Sequence, residues 1–205
     1  MTEKEKMLAG KLYMAFDSEL VKERKNARRL IERYNQIGYD EINQKSSLIS
    51  ELVGKHGSHT TINPPFQCDY GYNITIGDNF FANYDCVFID VNTITIGNNV
   101  MFGPKVCLYT AGHPIDAEVR NLDLEFGYPI KIGDNVWIGG NTVVNPGVSI
   151  GNNTVIGSGS VVTKDIPSNV IAVGNPCKVL RNITDSDKEY WSKLKDEYEK
   201  NKGKT

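Results

Sequence analysis

Residues 132–151 read IGDNVWIGGNTVVNPGVSIG, and an aliphatic side chain occupies every sixth position of this stretch. The period continues without a slip through Ile132, Ile138, Val144, Ile150, Ile156 and Val162. An α-helix repeats every 3.6 residues and a strand every two. A period of six is typical of a β-helix, in which each unit forms one short strand and one corner. The stretch therefore predicts a mainly β protein built as a solenoid.

The same frame extends toward the N-terminus, with one shift of two residues. The earlier units are Ile76-Gly77, Ala82-Asn83, Phe88-Ile89, Ile96-Gly97, Phe102-Gly103 and Leu108-Tyr109. Three units complete one coil, so aliphatic side chains of successive coils stack into internal ladders. Gly and Asn provide the backbone angles that the corners need. We expect this domain to span residues 61–183.

Helical segments flank the repeat. Residues 1–60 predict an N-terminal helical segment, in which Ser18 is placed to cap the second helix. That helix ends near Gly38, and a third amphipathic stretch ends at Gly54. Residues 184–205 predict a short C-terminal helix followed by a tail.

The frame breaks between residues 109 and 129, where no repeat unit can be read. In so regular a solenoid, an interruption of this length predicts a loop extruded from the surface, and such loops often carry function. His113 lies inside the interruption, between Gly112 and Pro114. A neutral imidazole can take a proton from a hydroxyl near neutral pH, which makes His113 the main catalytic candidate. From its position alone, His113 is equally well interpreted as a catalytic base or as a loop histidine that only makes a structural hydrogen bond.

Composition bears on several other classes of protein. The net charge of −2 over 205 residues gives no reason to expect nucleic acid or an anionic membrane as partner. No apolar run approaches the roughly 18 residues that span a bilayer. Residues 1–6 lack the apolar segment of a signal peptide, so we expect a cytoplasmic protein. A basic run is interpreted as a solvated helix face: Lys22, Arg24, Lys25, Arg28, Arg29 and Arg33.

Metal and thiol chemistry are not expected. The four cysteines have no CxxC spacing, which predicts free thiols: Cys68, Cys86, Cys107 and Cys177. Trimeric β-helical carbonic anhydrases take their histidine ligands from the coils, and the coils of this chain contain no histidine. We therefore interpret His56 and His59 as structural or exposed residues.

Other polar residues lie where ligands can reach them. Three are at or beside corners of neighbouring coils: Asp69, Asn83 and Asp90. Taken alone, Asn or Asp at a corner more often just tolerates left-handed backbone angles. Three cations follow the end of the repeat and can hold phosphates or be plain surface charges: Lys164, Lys178 and Arg181. Trp137 stands where a smaller residue would suffice, so we expect it to face outward against a ligand or a neighbouring subunit.

Several stretches together resemble the maltose and galactoside O-acetyltransferases, a group that includes nodulation-factor acetyltransferases. They are residues 132–140, 144–151, 161–167, 174–178, Gly10-Lys11-Leu12-Tyr13 with Asp17, and Thr110-Ala111-Gly112-His113-Pro114-Ile115-Asp116, which matches the catalytic-loop motif. The resemblance covers nearly the whole chain, and residues 68–74 and 89–91 bring it closer to the maltose branch. It implies a left-handed parallel β-helix that assembles as a homotrimer, with active sites in the clefts between subunits.

The resemblance also implies roles for individual residues. His113 deprotonates the acceptor hydroxyl, which then attacks the thioester of acetyl-CoA directly. The acceptor pocket is formed by Asp17, Asp69 and Asn83, and Asp90 either contacts the acceptor or orients the histidine. The backbone N–H of Gly140 receives the oxyanion. Further coenzyme contacts come from Ser158, Thr163, Lys164, Lys178 and Arg181, of which the last two pair with phosphates. From its place in the repeat, we expect Trp137 to contact the coenzyme as well. No catalytic metal is implied.

The acceptor is less determined than the reaction. The galactoside branch has Ser where this chain has Asp69, which favours glucosyl sugars such as maltose or glucose. One alternative is acetylation of a non-sugar hydroxyl, such as serine or a xenobiotic, and the N-terminal segment with Asp17 counts against it. A second alternative is a non-catalytic β-helix scaffold, and the presence of His113 and Lys164 counts against that.

Overall fold

Short strands stacked in coils make up most of the fold, and the computed structural model describes residues 1–38 and 40–202. The helices in these residues are α1 (Glu3–Leu8), α2 (Ser18–Gln36), α3 (Ile42–Leu52), α4 (Ala117–Arg120) and α5 (Asp185–Asn201). The strands are β1 (Tyr13–Met14), β2 (Thr61–Ile62), β3 (Phe66–Cys68), β4 (Ile74–Ile76), β5 (Phe81–Ala82), β6 (Cys86–Ile89), β7 (Ile94–Ile96), β8 (Met101–Phe102), β9 (Cys107–Tyr109), β10 (Ala111–Gly112), β11 (Leu124–Gly127), β12 (Ile130–Ile132), β13 (Trp137–Ile138), β14 (Val143–Val144), β15 (Ser149–Ile150), β16 (Val155–Ile156), β17 (Val161–Val162), β18 (Val170–Val173) and β19 (Lys178–Asn182).

Three sheets form the faces of the solenoid. The seven-stranded sheet has the order β2-β5-β8-β13-β16-β18-β19, the five-stranded sheet β3-β6-β9-β14-β17, and the four-stranded sheet β4-β7-β12-β15. Their strands are parallel, except that β19 returns antiparallel to β18. This architecture confirms the predicted fold class, a left-handed parallel β-helix with N-terminal helices and a C-terminal helix.

The strand register follows the six-residue frame. Ile138 pairs with Phe102 below and Ile156 above, and all three side chains are buried inside the solenoid. The spacing of paired residues changes along the chain, from twenty residues between Ile76 and Ile96 to eighteen between Ile132 and Ile150. The two-residue shift in the sequence therefore corresponds to longer corners in the lower coils.

One corner of the solenoid is built from stacked asparagines. Their φ angles lie between 54° and 62°: Asn79, Asn99, Asn135, Asn153 and Asn169. The side-chain amide of each donates to the side-chain oxygen of the next, at 3.0–3.1 Å. Asn tolerates the left-handed conformation better than most residues, and here its side chain also links successive coils.

The N-terminal helices cover the first coils. Asp17, and not Ser18, caps α2: its Oδ1 accepts the backbone N–H groups of Glu19 at 3.0 Å and Leu20 at 3.5 Å. The prediction of Ser18 as cap was wrong by one residue, because the helix begins at Ser18 itself. The hydroxyl of Tyr34, on the buried face of α2, donates to the backbone oxygen of Ile62 in the first coil.

The interruption at residues 109–129 is an ordered excursion. It leaves the solenoid after β9, forms the antiparallel pair β10–β11 with α4 between them, and returns at β12. Strand β11 also pairs with β1, where Tyr13 lies opposite Glu125. The N-terminal segment therefore fixes the loop that carries His113.

The last helix of the described residues is α5, and none of its described side chains is buried. Its exposed large side chains are Tyr190, Trp191, Leu194 and Tyr198. In the part of the chain that the structure describes, no helix combines the length and the apolar character needed to span a bilayer.

Candidate active site

The expected site residues gather at two edges of the solenoid. At the carboxyl edge of the five-stranded sheet, Asp69 follows β3, Asp90 follows β6, the loop with His113 leaves after β9, and Thr163-Lys164 follow β17; we call this the histidine edge. At the carboxyl edge of the seven-stranded sheet, Asn83 follows β5, Gly140 lies two residues after β13 and Ser158 two after β16; we call this the glycine edge.

The two edges do not meet in one chain. The four extended residues of β6 lie between Asn83 and Asp90, and at about 3.3 Å per residue they separate the edges by about 13 Å. The expected catalytic and coenzyme residues are therefore divided between two surfaces of the same subunit.

His113 projects from the histidine edge and is exposed. Among the residues that the structure describes, no hydrogen-bond partner of its ring is found. The preceding Gly112 packs closely on the loop, because a Cβ added there would lie 2.4 Å from the ring of Phe126. Glycine at this position lets β10 approach β11, and that approach sets where His113 leaves the sheet.

Asp69 lies half-buried beside His113's edge, close to two arginines. Burial raises the pKa of its carboxyl, and the nearby positive charges of Arg24 and Arg28 oppose the rise. Arg24 donates to the hydroxyl of Tyr70 at 2.6 Å. The interpretation of the basic run as a solvated face is therefore wrong for Arg24, which is partly buried against the site.

Asp90 is 0% exposed in this chain, and its expected role, a contact with the acceptor or with His113, stays a prediction. Its Oδ1 accepts the backbone N–H groups of Asp69 at 2.9 Å and Tyr70 at 2.8 Å. Its Oδ2 is buried without a hydrogen-bond partner among the described residues. Burial raises the pKa of this carboxyl to about 7. Asp90 thus fixes the backbone that carries Asp69 from inside the coil, and the contacts found for it do not include His113.

A further carboxylate, Glu125, belongs to the same edge and was missed by the sequence analysis. Its Oε2 accepts the hydroxyl of Tyr13 at 2.8 Å, and its charge raises the pKa of Asp69. Asp17 lies on the N-terminal segment just beyond β1, where one carboxylate oxygen is used by the helix cap. Glu125 lies within the interruption at residues 109–129, and this position was the only signal that could have pointed to it. No sequence motif includes it.

The glycine edge presents backbone donors. The side-chain oxygen of Asn83 accepts the N–H of Tyr84 at 2.8 Å, and its side-chain amide N–H groups keep no partner among the described residues. Gly140 and Ser158 occupy the position of Pro104 in the next two coils, and each has a backbone N–H, which proline lacks. Neither donates a hydrogen bond within residues 1–38 and 40–202. Such fixed, unpaired donors can stabilise negative charge that develops on a carbonyl oxygen.

The outer face of the seven-stranded sheet adjoins the glycine edge. Trp137 is 51% exposed, and the expected outward orientation agrees with its pairing opposite Val155. Ile171 continues this outward column, and Arg181 lies opposite Ile171. Lys178 lies opposite Val173, two residues from Ile171 on the same strand. The register irregularity next to Leu180 therefore puts Lys178 and Arg181 on the same outward face as Trp137.

A cavity of about 620 Å³ is lined by residues of α3 and the first coil, including His56 and His59, and by none of the expected site residues. Both ring nitrogens of His56 are engaged, Nε2 with the Ser50 hydroxyl at 2.7 Å and Nδ1 with the Gly57 oxygen at 2.8 Å. No group of three potential metal-binding His, Cys, Asp or Glu side chains occurs in the described residues. The chemistry of the expected residues, and not the cavity size, therefore defines the candidate site.

Two family models match this chain, one in the N-terminal helical segment and one in the coils. The family model described as "Maltose acetyltransferase hexapeptide capping motif" matches residues 6–57. The model described as "Bacterial transferase hexapeptide (six repeats)" matches residues 129–164. The galactoside O-acetyltransferase of Escherichia coli K12 is 44% identical over 189 residues, which cover 92% of this chain and 93% of that protein.

Two solved structures are similar to this chain over about nine-tenths of its length. A maltose O-acetyltransferase from Clostridium difficile 630 is 55% identical with a TM-score of 0.89, over 90% of this chain and 98% of that one. A galactoside acetyltransferase solved in complex with coenzyme A is 44% identical with a TM-score of 0.89, over 92% of this chain and 94% of that one. With this sequence identity, this coverage and the six-residue frame closed into coils, the chain belongs to the maltose and galactoside O-acetyltransferase family of hexapeptide-repeat proteins.

Proposed function

We propose that this protein moves the acetyl group of acetyl-CoA to a hydroxyl of a glucosyl sugar, such as maltose or glucose, with His113 as general base. The observation that carries the proposal is the pairing of surfaces: an exposed histidine at one edge and a row of unpaired backbone donors at the other. A family member that binds coenzyme A supports the choice of cosubstrate. The cytoplasmic location stays a prediction.

His113 takes the proton of the acceptor hydroxyl, and the hydroxyl oxygen attacks the thioester carbon of acetyl-CoA. The N–H of Gly140 donates to the oxyanion that forms, an interaction worth about 3 kcal/mol for a well-placed donor. As the carbon–sulfur bond breaks, the imidazolium of His113 returns the proton to the leaving thiolate. The products are the acetyl ester and free coenzyme A, and no metal takes part in this scheme.

The division of the residues between two edges leads us to propose a homotrimer. The histidine edge and the glycine edge of one chain lie about 13 Å apart along β6, and we infer that His113 and Gly140 share a site where the histidine edge of one subunit faces the glycine edge of another. An exposed apolar column on the seven-stranded sheet supports such an interface: Phe81, Met101 and Trp137. Exposed apolar patches of this kind are typical of contact surfaces.

The acceptor side is proposed to be acidic, with hydroxyl groups bound by carboxylates. Asp17 and Asp69 offer carboxylate oxygens at the histidine edge, and Asn83 offers its amide N–H groups from the glycine edge. Glu125 adds a second carboxylate next to Asp69. Carboxylates accept hydrogen bonds from hydroxyl groups, which suits a sugar better than an apolar xenobiotic.

Thr163 and Lys164 are proposed to contact the coenzyme from the histidine edge, while Trp137, Ser158, Lys178 and Arg181 contact it from the other subunit. This assignment rests on their exposure and their positions: Thr163, Lys164 and Ser158 lie at the edges, and the other three lie on the outer face of the seven-stranded sheet. Lys178 provides a charge but no bidentate fork for a phosphate.

The test is thiol release from acetyl-CoA with maltose, glucose, a thiogalactoside, serine, chloramphenicol or no acceptor. We expect release with the glucosyl sugars and a roughly 10²–10⁴-fold lower kcat for His113→Ala. His59→Ala, which changes another exposed histidine, is the matched control and should turn over normally. Release only with serine or chloramphenicol would keep the reaction and refute the acceptor. Absence of release with every acceptor, together with absence of acetyl-CoA binding by calorimetry, would favour the scaffold.

A further inference from the structure

A carboxylate from the C-terminal helix holds the arginine that lies on the proposed coenzyme surface. Asp187 of α5 receives two hydrogen bonds from Arg181 of β19, Nη1 to Oδ2 and Nη2 to Oδ1, each at 2.7 Å. Both terminal nitrogens of the guanidinium therefore meet both carboxylate oxygens. This paired geometry fixes the plane of the guanidinium as well as its position.

Asp187 is itself held in place. Its Oδ2 also accepts the backbone N–H of Thr184 at 2.9 Å and the Thr184 hydroxyl at 3.0 Å. These contacts belong to the capping box that begins α5. Arg181 is thereby tied to the start of a helix, and not merely to a mobile surface side chain.

The contacts leave one edge of the guanidinium available. Nη1 also donates to the backbone oxygen of Asn182 at 2.9 Å, so both of its N–H groups are used. Nη2 uses one N–H on Asp187. The second N–H of Nη2 and the adjacent Nε–H have no partner within residues 1–38 and 40–202. Together they form a side-on pair of donors, the arrangement that binds two oxygens of one phosphate.

The location of this edge suits the coenzyme. Arg181 continues the outward column that runs from Trp137 through Val155 and Ile171. Three interstrand spacings of about 4.8 Å put Arg181 about 14 Å from Trp137 along the same surface. Lys178 lies on this face as well, so the phosphate end of a ligand extended from the glycine edge would meet two cations.

We infer that Asp187 is a positioning residue for coenzyme binding: it takes the end of the Arg181 guanidinium and so presents the Nε–Nη2 edge to a phosphate of acetyl-CoA. This inference rests on the proposed function. Asp187 does not touch the coenzyme in this arrangement and acts only through Arg181. The Arg181–Asp187 ion pair is exposed, and exposed ion pairs add little to the stability of a fold. A contribution to stability therefore does not explain its paired geometry.

The experiment measures KM for acetyl-CoA and for the acceptor, and the Kd for coenzyme A and its 3′-dephospho form by calorimetry. For Asp187→Asn we expect KM for acetyl-CoA to rise roughly three- to tenfold, with kcat and the acceptor KM unchanged. Asp185→Asn removes a neighbouring carboxylate of the same first turn that does not contact Arg181, and should change nothing. Circular dichroism of each variant checks that α5 remains folded.

A second pair of variants separates positioning from a structural effect. With Arg181→Lys, which has no fork, the further change Asp187→Asn should have no additional effect on KM. An equal effect of Asp187→Asn on KM with Arg181 and with Arg181→Lys would overturn the inference. Tighter coenzyme binding by Asp187→Asn would also overturn it, because Asp187 would then compete with the phosphate for Arg181. If Arg181→Ala weakens binding while Asp187→Asn does not, the inference fails and the proposed function stands. If the unaltered protein binds no coenzyme A, the proposed function fails.

Discussion

Replacement of Asp90 with Asn should remove a pH dependence from the stability of the protein. The buried carboxyl has a pKa of about 7 in the folded chain, against an ordinary value of 3.8. At about 1.4 kcal/mol for each pH unit between these values, the ionised form costs the folded state about 4 kcal/mol. Asn keeps a side-chain oxygen for the N–H groups of Asp69 and Tyr70, but it carries no charge at any pH.

The sign follows from proton binding. The folded state holds the proton of Asp90 more tightly than the unfolded state does, so this group is most favourable to folding below pH 4. Its contribution is lost as the pH rises toward 7. Between about pH 5 and pH 7, the unaltered protein should therefore lose about 2 kcal/mol of unfolding free energy relative to Asp90→Asn.

The assay is urea unfolding at several pH values and one protein concentration, which must be constant because assembly affects apparent stability. Asp196→Asn, at an exposed position on α5, controls for the loss of one negative charge. Parallel stability curves for the unaltered protein and Asp90→Asn between pH 5 and pH 7 would refute the reasoning. Such a result would mean that water or a rearrangement relieves the buried charge.

Three other changes test the core, the loop and the acceptor side. Ile138→Ala empties part of a central ladder at a 0% exposed position and should lower the unfolding free energy by about 3–4 kcal/mol, measured by urea titration; a loss below 1 kcal/mol would contradict the stacked core. Gly112→Ala should push the ring of Phe126 away and lower kcat roughly tenfold or more with little change in Tm; unchanged turnover would show that His113 does not depend on this close approach. Asp69→Ser should raise the acceptor KM for maltose roughly tenfold and leave KM for acetyl-CoA unaltered; equal changes in both constants would argue against a role on the acceptor side.

The fold was largely predictable because each coil repeats the same local requirement. The pattern places an aliphatic residue at every sixth position and Asn or Gly at the following corner. It matches strands such as β13 and β16, and the corner where Asn135 and Asn153 are stacked. The end of the frame at residue 109 likewise located the loop of His113. These are short-range patterns, and short-range patterns can be read from one sequence.

Long-range pairings were not predictable in the same way. Tyr13 and Glu125 are separated by 112 residues and meet through the β1–β11 pairing, and the charge of Glu125 reaches Asp69. The burial of Asp90 could not be predicted because a corner gives no clear alternation, and a shift of one residue moves a side chain from the outside to the inside. Arg24 lies in a run of cations whose composition does not distinguish the buried member from the solvated ones.

The register of the four-stranded sheet passes over the whole excursion: Ile96 pairs with Ile132, thirty-six residues later, just as Ile132 pairs with Ile150 after eighteen. Residues 110–129 therefore behave as a cassette inserted into a scaffold that closes without them. Exchange of this cassette between family members should leave the coils closed and move His113 and Glu125 together, provided that the partner strand β1 travels with it. Acceptor preference should then change only by what Glu125 contributes, because Asp17, Asp69 and Asn83 stay on the scaffold.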